Sequence, residues 1–141
     1  MSFLDVRSKK MESLSPYKKE LALGILKQIE EAIMRLQERT ANIHNVDDFL
    51  LSPAGMEKLD AACMLLIAIG ESLKGFDKVT EKSILITCPQ IPWSSVMGVR
   101  DIIAHHYFNV DAEEIFDIVH NELSPLLEAI RSFILKLSGS V

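Results

Sequence analysis

The stretch "SPAGMEKLDAACMLLIAIGESLKG", from Ser52 to Gly75, carries the start, the periodicity and the stop signal of a long helix. Serine before proline favours a helix start, because the hydroxyl can accept a bond from a free backbone N–H and proline fits the first turn. Gly75 is predicted to end the helix as its C-cap. The apolar positions recur at near-heptad spacing. They are Met56, Leu59, Cys63, Leu66, Gly70 and Leu73, and Ile67 and Ile69 widen the stripe. We therefore expect this helix to be buried on more than one side.

The same start signal occurs upstream at Ser15-Pro16 and predicts an amphipathic helix over Pro16–Arg39. Its apolar residues alternate three and four apart, at Ala22, Ile25, Ile29, Ile33 and Leu36. The intervening "TANIHNVDDFL", residues 40–50, is rich in Asn, Asp and Thr and predicts a loop or a short irregular turn.

Two further helices are predicted in the second half of the chain. Residues 76–92 are expected to form a connection with a short helical piece around Thr80–Ile86. Pro92-Trp93 then opens a third helix, with Trp93 as a core anchor. Asp111 is the predicted N-cap of the last helix, which runs to Leu137. Pro125 lies inside that pattern and predicts a kink near Asn121.

These elements predict an all-α fold, an up-and-down bundle of four or five helices. The length of 141 residues suits a single domain over residues 1–141, with residues 1–14 as a polar, frayed lead-in. Only six glycines and five prolines are present, which favours helices over turn-rich β structure.

The charge is uneven along the chain. The net charge is −5, yet residues 1–40 hold eight basic against six acidic residues. Nonspecific affinity for phosphate scales with basic contacts, so an RNA site in this chain must gather its positive charge locally.

Cys63 and Cys88 have no CxxC spacing or nearby histidine, so no metal site is expected, and two thiols favour a reducing cytoplasm. We see no signal peptide, and the longest apolar stretch is ten residues, too short to span a bilayer.

The segment "VRDIIAHHYF", Val99–Phe108, places several polar groups in an otherwise apolar run. On a helix, Asp101 and His105 are four residues apart and can touch. Arg100 and His105 are five apart, about 140° around the axis, so one helix cannot aim both at one atom. One interpretation is a structural ion-pair network, which is the commoner role of such residues. The other is RNA cleavage, in which a histidine moves a proton and an arginine stabilises a phosphate.

The spacing of Arg100, His105 and Tyr107 reads R-x4-H-x-Y and resembles the motif of the HepT-like toxins of the HEPN superfamily. His106 satisfies only a looser R-x5-H. The flanks are similar too: "IPW" at 91–93, "GVRDIIAHHYF" at 98–108 and "IFDIVHNELSPL" at 115–126. Upstream, "IAIGESLKGF" at 67–76 resembles the family's "IGE" helix, with Glu71 in the acidic position. The resemblance extends over roughly residues 21–134.

The resemblance implies a homodimeric helical bundle with metal-independent ribonuclease activity and no cofactor. Arg100 and His105 would be catalytic at a cleft between protomers, with Asp101 and Glu71 supporting them. The protein would be the toxin of a type VII toxin–antitoxin pair. An MntA-like nucleotidyltransferase antitoxin would silence it by adding AMP to Tyr107. The alternative is a non-catalytic helical dimer that binds a nucleotidyltransferase partner or a nucleotide.

Overall fold

The computed structural model describes residues 14–105 and 111–139, with only the backbone given at positions 104 and 105. These residues form helices and no strands, which confirms the predicted all-α, HEPN-like bundle. The helices are α1 (Pro16–Arg39), α2 (Val46–Leu50), α3 (Pro53–Val79), α4 (Trp93–Met97), α5 (Val99–His105), α6 (Ala112–Asp117) and α7 (Leu123–Leu137). A 3-10 turn (Leu85–Thr87) follows α3, and a π-helical turn (Ile118–Glu122) joins α6 to α7.

The predicted helix starts at the two Ser-Pro pairs are confirmed. Ser15 accepts a hydrogen bond from the N–H of Lys18 at 3.2 Å, and Ser52 accepts one from the N–H of Gly55 at 2.9 Å. The predicted end of α3 is wrong, because Gly75 lies inside the helix and Thr80 is the C-cap. The buried side of α3 continues through Phe76, so packing extends the helix past the glycine.

Helix α3 is central in the bundle and contacts α1, α2, α4, α5 and α6. Its buried residues occupy more than one side of the helix, as predicted, although Met56 of the heptad stripe is exposed. Helix α1 runs antiparallel to α7, since Glu30 pairs with Arg131 while Gln37 contacts Ser124. The core between these long helices therefore provides a rigid frame for the shorter α4 and α5.

An aromatic cluster fixes the start of α4 on that frame. The Phe133 ring of α7 lies 5.9 Å from the Trp93 ring and 6.2 Å from the Phe76 ring, centroid to centroid. The Trp93 indole N–H also donates to the carbonyl of Cys88 at 3.0 Å. The expectation that Trp93 is a core anchor is confirmed.

The single third helix expected from the sequence is instead two short helices. Helix α4 ends at Met97 with Gly98 as its C-cap, and α5 begins at Val99. The N–H of Gly98 bonds to the carbonyl of Ser94, while its own carbonyl accepts from the N–H of Asp101 at 3.1 Å. The regular helix is therefore interrupted two residues before Arg100.

The last helix is irregular near Asn121, where a kink was predicted from Pro125. Asp111 is the N-cap of α6, and its carboxylate accepts from the N–H groups of Glu113 and Glu114. Pro125 cannot donate to the carbonyl of Asn121, and the chain forms the π-helical turn there. The predicted kink is therefore a local widening of the helix.

Two connections differ from the predictions. Part of the expected loop at residues 40–50 forms α2, which Asn45 caps by accepting from the N–H of Asp48 at 2.9 Å. The helical piece expected around Thr80–Ile86 is the later 3-10 turn. Among the described residues, no helix combines the length and the apolar character needed to cross a membrane.

Candidate functional site

Arg100 is presented at the surface by the first turn of α5. Val99 and Ile103 of the same helix are buried, so they anchor α5 while the arginine side chain remains 61% exposed. The turn at Gly98 separates α5 from α4, and burial of Val99 and Ile103 fixes which side of α5 faces the core. A guanidinium held in this way is accessible to a ligand as large as an RNA strand.

Glu71 of α3 holds the Arg100 guanidinium. The Nη1 atom of Arg100 donates to Oε1 of Glu71 at 2.7 Å, the short distance typical of a charge-assisted bond. The other carboxylate oxygen of Glu71 lies 3.4 Å from Nζ of Lys74, one turn further along α3. One carboxylate thus bridges two cations, and the three side chains together carry one net positive charge.

The bridge changes the titration of the carboxylate. The hydrogen bond from Arg100, followed by the contacts with Lys74, lowers the pKa of Glu71 below its ordinary value. Glu71 is therefore ionised at neutral pH. A phosphate that binds Arg100 must compete with this carboxylate, and Lys74 remains beside Glu71 to balance its charge.

The close approach of α3 and α4 brings this cluster together. A Cβ atom built on Gly70 would lie 2.8 Å from the carbonyl oxygen of Val96 and 3.6 Å from the Cα of Met97. No real side chain fits there without movement of a backbone. The glycine that precedes Glu71 therefore allows α4, and with it Arg100, to pack directly against α3.

The other residues predicted for the site are described less completely. Asp101 is exposed in the first turn of α5, and the backbone of His105 is the last residue of that helix. Their four-residue spacing thus spans about one helical turn. The side chain of His105 lies outside the described part of the structure, as do His106 and Tyr107. The predicted roles of these residues stay predictions.

The histidines outside the motif do not contribute to this cluster. His44 is exposed in the turn before α2. His120 is exposed in the π-helical turn, where its ring stacks on Phe116 at 5.2 Å. Within residues 14–105 and 111–139, no group of three or more His, Cys, Asp or Glu side chains could hold a metal ion.

Cys63 is buried in the core, as expected, and burial raises the pKa of its thiol to about 11. The half-buried Cys88 also has a raised pKa because of burial. Neither thiol is therefore poised as a nucleophile at neutral pH.

A cavity of about 600 Å³ lies on another side of α5 and is distinct from the Arg100 cluster. Val99 and Ile102 of α5 line it, together with Leu66 of α3 and residues of the π-helical turn. Arg100 and Glu71 do not line it. We place the candidate site at the Arg100 cluster because that is where an accessible cation is held in a defined position.

The family resemblance placed Glu71 near Arg100, against the alternative that Glu71 only covers the polar side of a buried helix, and the structure shows the two side chains in contact. Sequence reasoning missed Lys74, although the spacing of three residues from Glu71 along a helix was a usable signal. Lys74 and Arg100 both pair with the carboxylate of Glu71, and this link could be found only from the packing of α3 against α5.

Comparisons with known proteins agree with the family resemblance. A family model described as "Ribonuclease HepT-like" matches residues 29–133. A Methanocaldococcus jannaschii protein described as a "Putative RNase" is 32% identical over 74 residues, which are 52% of this chain and 58% of that protein. The match thus spans a little over half the length of the relative. No solved structure matches the chain significantly.

Proposed function

The chain belongs to the HepT-like ribonuclease family, and from that premise we propose that it is a metal-independent endoribonuclease in which Arg100 and His105 are catalytic. The observation that carries this proposal is the exposed guanidinium of Arg100, which lies on the same helix as His105 and is held by Glu71 of α3. We also propose that it acts in the cytoplasm, a reducing compartment in which Cys63 and Cys88 stay free thiols.

The proposed chemistry needs only proton transfer and charge stabilisation. An imidazole accepts the proton of a ribose 2′-hydroxyl, and the resulting oxygen attacks the adjacent phosphorus. The bond to the 5′-oxygen breaks, and an imidazolium donates a proton to that leaving oxygen. The products are a 2′,3′-cyclic phosphate and a 5′-hydroxyl. Arg100 stabilises the charge that develops on the phosphate oxygens.

Glu71 and Asp101 have supporting roles in this proposal. Glu71 holds the guanidinium near the surface until a phosphate displaces the carboxylate, and Lys74 then neutralises Glu71. Asp101, one helical turn before His105, would orient the imidazole and favour its charged form.

We propose that the active form is a homodimer. Arg100 and His105 are five positions apart on α5, about 140° around the helix axis, so one copy of α5 cannot direct both at one phosphate. In a dimer with a twofold axis, the second copy of α5 supplies the Arg100 or His105 that the first copy cannot direct at the same phosphate. The dimer also provides two imidazoles, one to act as the base and one to act as the acid. Sedimentation should give a dimer at micromolar concentration, and a monomer with intact activity would contradict this arrangement.

The cleavage test uses purified protein, total RNA and EDTA. Arg100→Ala and His105→Ala should each reduce cleavage by ~10²-fold or more, the usual scale of a positioned acid–base group. Arg131→Ala is a matched control, because Arg131 is also exposed and pairs with a glutamate of another helix at 3.0 Å. His106→Ala tests the choice of histidine, and damage there with a silent His105→Ala would assign the role to His106.

We further propose that the protein is the toxin of a toxin–antitoxin pair and that AMP addition to Tyr107 silences it. The phosphodiester would bring a negative charge beside Arg100, occupy that cation and repel RNA. The chain has two tyrosines, and Tyr17 is 74% exposed, so Tyr17→Phe is a suitable control.

After incubation with an MntA-like nucleotidyltransferase and ATP-Mg²⁺, intact mass should show AMP units on the wild type and on Tyr17→Phe. Tyr107→Phe should show none and should keep its activity. Full cleavage by the modified wild type would contradict the switch.

The second candidate function is a non-catalytic dimer that binds a nucleotidyltransferase or a nucleotide. The observation that favours it is the Glu71–Arg100 pair, which can equally be a structural ion pair between α3 and α5. Wild-type protein that leaves RNA intact in EDTA but forms a stable complex with the nucleotidyltransferase would support this alternative.

A further inference from the structure

A shallow groove of about 460 Å³ opens beside the candidate site, between the C-terminal half of α3 and Met97 of α4. Apart from Met97, every residue that lines it is charged, and α3 with the turn after it contributes Lys74, Asp77, Lys78, Glu81 and Lys82. The surface that these residues present to the groove itself is mostly apolar. Lys74 connects the groove to the site through the carboxylate that it shares with Arg100. A strand bound at Arg100 could therefore continue directly into this groove.

The lysines form a row along the groove. Lys74 and Lys78 are one turn apart on α3, about 6 Å along the helix axis. Among the described residues, neither Lys78 nor Lys82 forms an ion pair within 4 Å. Within the described part of the chain, Lys78 and Lys82 are thus free of ion pairs at contact distance, although Lys82 lies near enough to Asp77 to attract its carboxylate.

The turn after α3 is strained in a way that brings Lys82 back to the groove. The N–H of Lys82 bonds to the carbonyl of Asp77, and that of Glu81 bonds to the carbonyl of Lys78, a Schellman pattern. This motif normally has glycine at the left-handed position, but here Glu81 (φ 55°) and Lys82 (φ 59°) are both left-handed. The two left-handed residues turn the chain back after α3, and Lys82 lines the groove.

The acidic residues of the groove are largely offset. The Oε1 atom of Glu81 lies 3.5 Å from Nζ of Lys18 in α1, so Glu81 already pairs with a lysine outside the groove. Asp77 is partly buried, and nearby Lys82 offsets its charge. With Glu71 already bridging two cations, the groove retains a local excess of positive charge in a chain whose net charge is −5.

We propose that this groove binds the sugar–phosphate backbone of single-stranded RNA next to the cleavage site, with Lys78 and Lys82 contacting successive phosphates. This rests on the proposed function for the identity of the ligand. The contacts are to phosphates and carry no sequence information, so they position the strand rather than select bases.

The test measures binding without chemistry. A 2′-O-methyl oligoribonucleotide has no free 2′-hydroxyl to act as nucleophile, so the wild-type protein can be titrated with it at several salt concentrations. Fluorescence anisotropy then gives the slope of log Kd against log salt. Lys78→Ala/Lys82→Ala should weaken binding and reduce the slope by ~1.4, since each phosphate contact on a single strand contributes ~0.7.

The matched control is Lys27→Ala/Lys136→Ala, which removes the same charge from two exposed lysines outside the groove. This control should keep the wild-type slope. Equal slopes for the two double variants, or no binding by the wild type, would overturn the inference. The result is separate from the cleavage assay, because binding of this probe does not require Arg100 or His105 to be catalytic.

Discussion

Replacement of Gly70 by alanine tests how the site is assembled. The new Cβ would lie 2.8 Å from the carbonyl oxygen of Val96, whereas ordinary contacts begin at 3.4 Å, so the two backbones must separate by about 0.6 Å. Overpacking of this kind costs about 1–3 kcal/mol in the free energy of unfolding. The gain from alanine in a helix interior offsets up to about 1 kcal/mol of that cost.

Gly75→Ala in the same helix is the matched control. A Cβ at Gly75 would meet no atom within 4 Å, so only the helix-propensity gain of about 0.5–1 kcal/mol applies. The two variants should therefore differ by about 1–3 kcal/mol in unfolding free energy. At ~4 °C per kcal/mol for a chain of this size, their Tm values should differ by roughly 4–12 °C.

The functional consequence follows from the position of Val96, four residues before Arg100. Displacement of α4 by about 0.6 Å would stretch the 2.7 Å bond between Arg100 and Glu71 towards the limit of a hydrogen bond. Gly70→Ala should thus lower RNA cleavage, and Gly75→Ala should not. Equal stability and equal cleavage of the two variants would refute the argument that the glycine sets the spacing of α3 and α4.

Three other predictions concern stability and titration. Phe133→Ala should lower the unfolding free energy by about 3–5 kcal/mol in chemical denaturation, because its buried ring packs against Trp93. NMR titration of the Glu71 carboxyl should give a pKa below the ordinary value, and Arg100→Ala should raise it. Since that pKa is lowered by folding, its stabilising contribution is present above the ordinary value and is lost as the pH falls through the lowered one. With its pKa near 11, Cys63 should resist alkylation of the native protein at pH 8 and react after denaturation, as followed by peptide mass mapping.

The sequence alone determined the features that depend on neighbouring residues. Ser15 and Ser52 cap their helices through N–H groups three residues away, so the starts of α1 and α3 were readable from the order of residues. The N-cap role of Asp111 could be predicted for the same reason. The family motif around Arg100 was equally local, since it depends only on spacing within one segment.

Only the tertiary structure decided the features that depend on distant packing. Helix α3 continues past Gly75 because buried contacts further along outweigh the helix-breaking tendency of one glycine. The break at Gly98 was not predicted, because a single glycine inside a helical pattern is often tolerated and the sequence does not show whether packing will keep the helix continuous. The contact between Arg100 and Glu71 joins residues 29 positions apart. It exists because Gly70 allows two helices to approach, and no local rule of spacing predicts which helices will meet.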